Sequence, residues 1–82
     1  MQEPIQKVCV TINDENLEIN ATRVFYGRNP VTKLCSVNFM DVDSKKWIRL
    51  FWMGQEEADL LVKKIREGEI TDLTGYQAKW NL

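Results

Sequence analysis

The spacing of apolar residues changes once along this chain, at Gly54, and this change limits the folds open to it. Before Gly54, apolar and polar residues alternate in short segments, a two-residue period typical of half-buried β-strands. After it, the apolar residues are Ala58, Leu61, Val62 and Ile65. Their spacing of i, i+3, i+4 and i+7 predicts one helix over residues 55–67.

The alternating segments predict strands separated by turn-forming residues. They cover residues 5–12, 17–26, 31–42 and 46–53, and a last strand over 70–80 is bent at Gly75. Gly68 is well placed as the left-handed residue that ends the helix. The order β-β-β-β-α-β predicts a mostly β fold with one α-helix, either a small antiparallel barrel or a sheet covered by the helix.

Size and composition indicate one globular domain over residues 1–82, with 44% hydrophobic and 28% charged residues. No apolar run approaches the ~20 residues of a membrane-spanning helix. The first residues, MQEPIQK, lack the charged-then-apolar layout of a secretion signal. We therefore expect no membrane segment and a cytoplasmic location.

Histidine is absent, which removes the commonest general base of enzymes and the commonest transition-metal ligand. The spacing of Cys9 and Cys35 is not that of a zinc motif. Both cysteines lie in strand-like segments, so we expect buried free thiols rather than a disulfide. The sequence thus predicts no enzyme activity, no metal site and no cofactor.

The charge of the chain is unevenly distributed. The formal net charge is −1, but residues 22–52 carry six basic side chains against two acidic ones. A locally basic segment of this kind favours an anion-binding face.

The stretch WIRLFWMG, residues 47–54, lies in this basic segment and holds three aromatic rings in eight positions. In a strand, alternate residues point to opposite faces. We expect one set in the core, consisting of Ile48, Leu50 and Trp52. The other set is expected on a ligand-binding face and consists of Trp47, Arg49, Phe51 and Met53.

An aromatic–cation–aromatic series suits single-stranded nucleic acid, since rings stack on bases and a guanidinium binds phosphate. Trp47, Arg49 and Phe51 form such a series. A second interpretation is also open, because a strand covered on both sides shows a continuous apolar run as well. The direction of the Trp47 side chain distinguishes the two interpretations.

The segment KWIRLFWMGQEEADLLVKKIREGEITDLTGYQAKW resembles the second half of the OB-fold domain of bacterial single-stranded DNA-binding proteins. The matching features are an aromatic strand start at Trp47, a break at Gly54, the helix, the turn at Gly68, a second glycine at Gly75, and the basic-aromatic end Lys79-Trp80. The preceding strand, LCSVNFMDV, is similar to the second barrel strand of that family. The resemblance covers residues 31–80.

This resemblance implies a small OB-fold-like antiparallel β-barrel. It also implies that Trp47 and Arg49 contact DNA, and that Met53 stands where the family often has an aromatic residue. The family has a further strand after the counterpart of Trp80. We expect the strand over residues 5–12, or a neighbouring subunit, to cover that edge.

Further candidate residues lie outside this strand. Tyr76 and Trp80 share a face of the last strand, where stacking on bases and simple packing are both open. Tyr26 and Arg28, beside the Gly-Asn-Pro turn, are candidates for a groove wall or are solvated turn residues. Lys33 is a candidate phosphate contact.

The sequence thus predicts non-catalytic binding of single-stranded nucleic acid, DNA in preference to RNA, by a protein that is expected to form homo-oligomers. The alternative is a small protein-interaction module, such as a phage- or plasmid-type inhibitor or an assembly subunit. Such a module would use the same aromatic face, because Trp, Tyr and Arg are also the preferred residues of protein interfaces.

Overall fold

The computed structural model of the chain describes residues 5–81. Its elements are β1 (Gln6–Ile12), β2 (Glu15–Arg28), β3 (Cys35–Asp41), β4 (Trp47–Met53), α1 (Gln55–Arg66) and β5 (Gln77–Asn81). The predicted order β-β-β-β-α-β and the mostly β class are confirmed. In the part of the chain that the structure describes, no helix has both the length and the apolar character that crossing a bilayer requires.

The five strands form one antiparallel sheet in chain order, β1-β2-β3-β4-β5. The sheet curls into a half-barrel, and backbone hydrogen bonds join β1 to residues 71–73, which lie between α1 and β5. The Cys9 amide donates to the Thr71 carbonyl at 2.7 Å, and the Leu73 amide donates to the Cys9 carbonyl at 2.8 Å. β1 therefore lies against the segment that precedes β5, but it forms no ladder with β5 itself, which pairs with β4 alone among the described strands. The expectation that the N-terminal strand covers the outer edge of the last strand is not confirmed.

The architecture is that of a small OB-like fold, with a strongly curled antiparallel sheet and one helix. The OB fold itself is a Greek-key barrel. Here every strand pairs with its neighbours in sequence. The likeness to the OB fold therefore lies in the curl of the sheet, the size of the domain and the single helix.

Two β-bulges interrupt the register of the sheet. In β2, Arg23 and Val24 stand opposite one residue of β3, and Arg23 has a positive φ of 55°. In β4, the register shifts between the pairs Cys35–Met53 and Val37–Leu50, so that two residues of β4 face Ser36 alone. Each bulge bends its strand and changes which side chains point outward.

The core lies between the sheet and α1. Alternate residues of β1 are buried, β3 is buried along almost its whole length, and the helix buries the predicted stripe of Ala58, Leu61, Val62 and Ile65. Gly68 ends the helical segment with φ of 74°, the left-handed conformation that the sequence predicts. The Arg66 guanidinium then donates two hydrogen bonds to the Val24 carbonyl, at 2.6 and 3.1 Å. These bonds tie the helix to the bulge in β2.

The loop between β2 and β3 is longer than the sequence predicts. Asn29 Oδ1 accepts hydrogen bonds from the amides of Val31 and Thr32, at 2.8 and 3.2 Å. This Asx turn prevents the extended conformation. The third strand therefore begins at Cys35 instead of Val31.

Candidate functional site

One side of the sheet is packed on the helix, and the other side is open over β2 to β5. Residues paired across antiparallel strands point to the same side, so the register assigns side chains to the open face. One row of this face crosses four strands and consists of Phe25, Asn38, Arg49 and Lys79. The next row contains Met40, Trp47 and Asn81. Aromatic, amide and basic groups are therefore neighbours on the open face.

A groove of about 450 Å³ lies on the open face. Phe25, Trp47 and Trp52 line it with aromatic rings. Phe25 and Trp52 are 46% and 44% exposed, so both rings are accessible to a ligand. Trp47 is half-buried, and its ring centroid lies 5.6 Å from that of Phe25 in an edge-to-face contact. The groove thus presents flat apolar surfaces to solvent.

The charged side chains of the groove are all positive. Among the described residues that line it, Arg28 and Arg49 are the charged ones. Neither forms an ion pair within residues 5–81. A second depression, at the start of α1, is lined instead by Glu56, Glu57 and Asp59. This separation of charge favours an anionic ligand in the groove.

Two buried polar residues anchor Arg49 in the groove. Asn38 Nδ2 donates a hydrogen bond to the main-chain oxygen of Ser36 at 3.3 Å, and Asn38 Oδ1 accepts one from Arg49 Nε at 3.2 Å. Ser36 and Asn38 are only 5% and 6% exposed. Buried polar groups of this kind are held by their partners, so the guanidinium has a fixed point of attachment.

The bulge in β4 changes the predicted roles of Trp52 and Met53. Strict alternation places Trp52 in the core and Met53 on the ligand-binding face. Both predictions are wrong, since Met53 is 5% exposed in the core and Trp52 lies in the groove. The extra residue of the bulge reverses the alternation after Leu50. Ile48 and Leu50 are fully buried, as predicted.

Phe51 is half-buried and lies beside the groove rather than in its lining. It pairs with Gln77 of β5, so its side chain is on the open face. Its ring centroid is 5.4 Å from that of Trp52 and 5.9 Å from Arg49 Cζ. Phe51 therefore supports two groove residues from the side.

Trp80 and Tyr76 do not belong to the groove. Trp80 pairs with the buried Ile48, so its side chain is directed to the core side, where Tyr76 also packs. Burial raises the pKa of the Tyr76 phenol, and the Glu57 carboxylate raises it further. The last strand begins at Gln77 instead of residue 70, so Tyr76 precedes it and the two rings do not share a strand face. Both pack against the core, on the opposite side of the sheet from Trp47.

The remaining three predicted residues are separated. Arg28 is among the residues that line the groove, at the end of β2, although its strand partner is the buried Cys35. Tyr26 pairs with the buried Val37 and borders the acidic depression instead, because its side chain points to the core side of β2. Lys33 lies in the Asx-turn loop with a positive φ of 65° and is not among the groove residues. Tyr26 as a groove wall is therefore a wrong prediction.

Several groove residues were not predicted from the sequence. They are Phe25, Gly27, Asn29, Ser36, Asn38, Trp52 and Asn81. Ser36 and Asn38 alternate with the core residues of the third strand, so their place on the other face was visible. What was missing was the strand register, which sets them beside Arg49.

No group of metal-ligating side chains is found among residues 5–81. Cys9 and Cys35 are free thiols, the first half-buried and the second buried. No protein-family model matches the chain, and neither the curated proteins nor the solved structures contain a significant match. Function is therefore inferred from the residues of the groove and their geometry.

Proposed function

We propose that this protein binds single-stranded nucleic acid, DNA in preference to RNA, in the groove of the open face and without catalysis. One observation carries the proposal. Three aromatic rings line an open groove whose charged residues, Arg28 and Arg49, have no ion-pair partner within residues 5–81. The resemblance of residues 31–80 to bacterial single-stranded DNA-binding proteins points to the same ligand.

The rings favour single strands over duplexes. A base exposes its flat face only when it is unstacked, and base–aromatic stacking is worth roughly 1–3 kcal/mol per base. Phe25 and Trp52 are the most exposed rings of the groove. Stacking on them is open to every base, so the proposed contact with the rings has little sequence preference.

The arginines supply the electrostatic part of binding. Phosphates attract Arg28 and Arg49, and no acidic residue within 5–81 is among the residues that line the groove. Release of counterions from the nucleic acid makes such binding weaker as salt rises. The groove residues therefore predict binding that is tight at low salt and steeply salt-dependent.

The proposal includes a cytoplasmic location, because both cysteines are free thiols, as is usual in a reducing compartment. It also includes homo-oligomers, since one groove of about 450 Å³ contacts few nucleotides and further copies would lengthen the binding surface. Light scattering with and without oligonucleotide measures the molecular mass of the protein in solution and so tests whether it forms homo-oligomers.

Tryptophan fluorescence tests the proposal directly. The chain has three tryptophans, Trp47, Trp52 and Trp80, and the variant Trp80→Phe removes the one outside the groove. Oligo-dT should quench the emission of this variant at low salt, added salt should reverse the quenching, and a duplex of equal length should quench less. The affinity for oligo-rU, compared with that for oligo-dT, measures the preference for DNA. Absence of quenching by oligo-dT at low salt would refute nucleic-acid binding.

The protein-interaction module is the second candidate, and one observation favours it. The loop beside the groove exposes Val31 and Leu34, which are 86% and 41% exposed. Branched aliphatic side chains offer no plane for base stacking but suit the apolar core of a protein interface. Under this candidate, the partner covers the aromatic face together with this loop, and Val31→Ser with Leu34→Ser weakens its binding. Under nucleic-acid binding, the same change leaves oligo-dT affinity within about twofold, because neither residue lines the groove.

A further inference from the structure

The hydrogen bonding of Arg49 leaves one end of its guanidinium group available. An arginine side chain has five N–H donors, and Arg49 uses the one on Nε to bind Asn38. The four donors on its two terminal nitrogens have no hydrogen-bond or ion-pair partner within residues 5–81. The end of the guanidinium therefore remains for a ligand in the groove.

Asn38 is well placed to fix the direction of this group. Its side chain is held by Ser36 on its own strand and is almost fully buried. Its cross-strand partners are Phe25 on β2 and Arg49 on β4, so it lies between the exposed ring and the guanidinium. A buried acceptor with a fixed position restricts the rotamers of the arginine that it binds.

We propose that Asn38 is a positioning residue, which presents Arg49 end-on to a pair of acceptor atoms in the bound strand. This inference rests on the proposed function and identifies what the groove recognises besides base faces. Two parallel N–H donors match either O6 and N7 of guanine or two phosphate oxygens. A lysine cannot replace this planar fork, because its ammonium group acts as a point charge.

One further amide of the groove, Asn29, adds a donor. Its side-chain oxygen is bonded to two loop amides, which leaves its Nδ2 for a ligand. The amide of Asn38 is already bonded at both ends, to Ser36 and to Arg49. Guanine presents two acceptors on one edge, whereas adenine presents a donor beside its acceptor. If the pair of acceptors belongs to a base, guanine is preferred.

A double-mutant cycle tests the role of Asn38. Affinity for a short dT oligonucleotide with one central dG is measured for the wild type, Arg49→Lys, Asn38→Leu and the double variant. Arg49→Lys should weaken binding roughly tenfold, the value of a typical bidentate contact. Asn38→Leu should weaken the wild type by a similar factor and the Arg49→Lys protein by less than about twofold, because the two residues act as one unit.

A comparison of oligonucleotides shows whether the acceptor atoms belong to a guanine base or to a phosphate. If Arg49 binds the base, the dG oligonucleotide binds tighter than oligo-dT, and replacing dG by 7-deaza-dG, which lacks N7, removes the difference. If it binds phosphate, the three oligonucleotides bind alike, and Arg49→Gln reduces the slope of log affinity against log salt by about 1. Both outcomes agree with the proposal, provided that Asn38 and Arg49 are coupled.

A merely structural Asn38 gives a different result. Equal losses from Asn38→Leu in both backgrounds, or wild-type affinity in the Asn38→Leu protein, would overturn the proposal while leaving nucleic-acid binding intact. Absence of wild-type binding at low salt instead refutes the proposed function itself. Thermal unfolding checks that each variant folds, and Asn38→Ala serves if the leucine variant does not. In the wild type, NMR should show slow exchange of the Arg49 Nε–H with water; fast exchange also overturns the proposal.

Discussion

Phe25 and Trp47 meet edge to face with their ring centroids 5.6 Å apart, although β3 separates the strands that carry them. The two rings therefore reach across the open face above β3, the strand that carries Asn38. Edge-to-face pairs of this kind contribute about 0.5–1.5 kcal/mol beyond the area that they bury. The contact links the stability of the sheet to the shape of the groove.

A double-mutant cycle on this pair should therefore show coupling. We expect Phe25→Leu and Trp47→Leu to lose less stability together than the sum of their separate losses, by about 0.5–1.5 kcal/mol. Urea unfolding of the four proteins measures this difference. Strict additivity would mean that the rings do not interact in solution.

The bulge in β4 leads to a second prediction, which contrasts two adjacent apolar residues. Met53→Ala removes a buried side chain and should lower the free energy of unfolding by about 2–5 kcal/mol. Trp52→Ala should change it by less than about 1 kcal/mol, because 44% of Trp52 is already exposed. Chemical denaturation compares the two variants. The reverse order of losses would place Trp52 in the core, as simple alternation predicts.

The sequence pattern was sufficient for most of the fold and for part of the candidate site. The period of the apolar residues identified each element, because a helix buries residues three or four positions apart and a half-buried strand buries every second residue. It could not identify the bulge, since Trp52 and Met53 are both apolar and no glycine or proline marks the position. Arg49 was found from its neighbours in one strand. Its partner Asn38 depends on register, which hydrogen bonding between strands fixes and local pattern does not.

The left-handed conformation of Gly68 predicts a difference between two glycines. The backbone of Gly68 has a φ of 74°, and a Cβ added there would lie 3.0 Å from Gln6 Oε1. A Cβ added at Gly75 would meet open space. We expect Gly68→Ala to lower the free energy of unfolding by about 1–2 kcal/mol. Gly75→Ala, the matched control, should be neutral or slightly stabilising. Equal effects in thermal unfolding would contradict the assigned backbone conformation.

The last prediction concerns acid pH and the contact between β1 and residues 71–73. Asp72 accepts hydrogen bonds from Thr74 Oγ1 at 2.6 Å and from the Thr74 amide at 3.1 Å. These bonds lower the pKa of the Asp72 carboxyl below its ordinary value of 3.8. The turn that they form holds Leu73, whose amide donates to the Cys9 carbonyl of β1.

Because the pKa of Asp72 is lower in the folded state than in the unfolded state, the unfolded chain binds the proton more readily. The stabilisation from the carboxylate is thus complete above the unfolded pKa, about 4, and is lost as pH falls through the folded pKa. We expect Tm to fall below pH 4 and amide exchange of Leu73 to accelerate there. Asp72→Asn should flatten this fall, whereas Glu69→Gln, at an exposed carboxylate without a hydrogen bond in residues 5–81, should leave the profile closer to wild type. A wild-type acid profile in the Asp72→Asn protein would show that the Thr74 bonds do not stabilise the contact between β1 and residues 71–73.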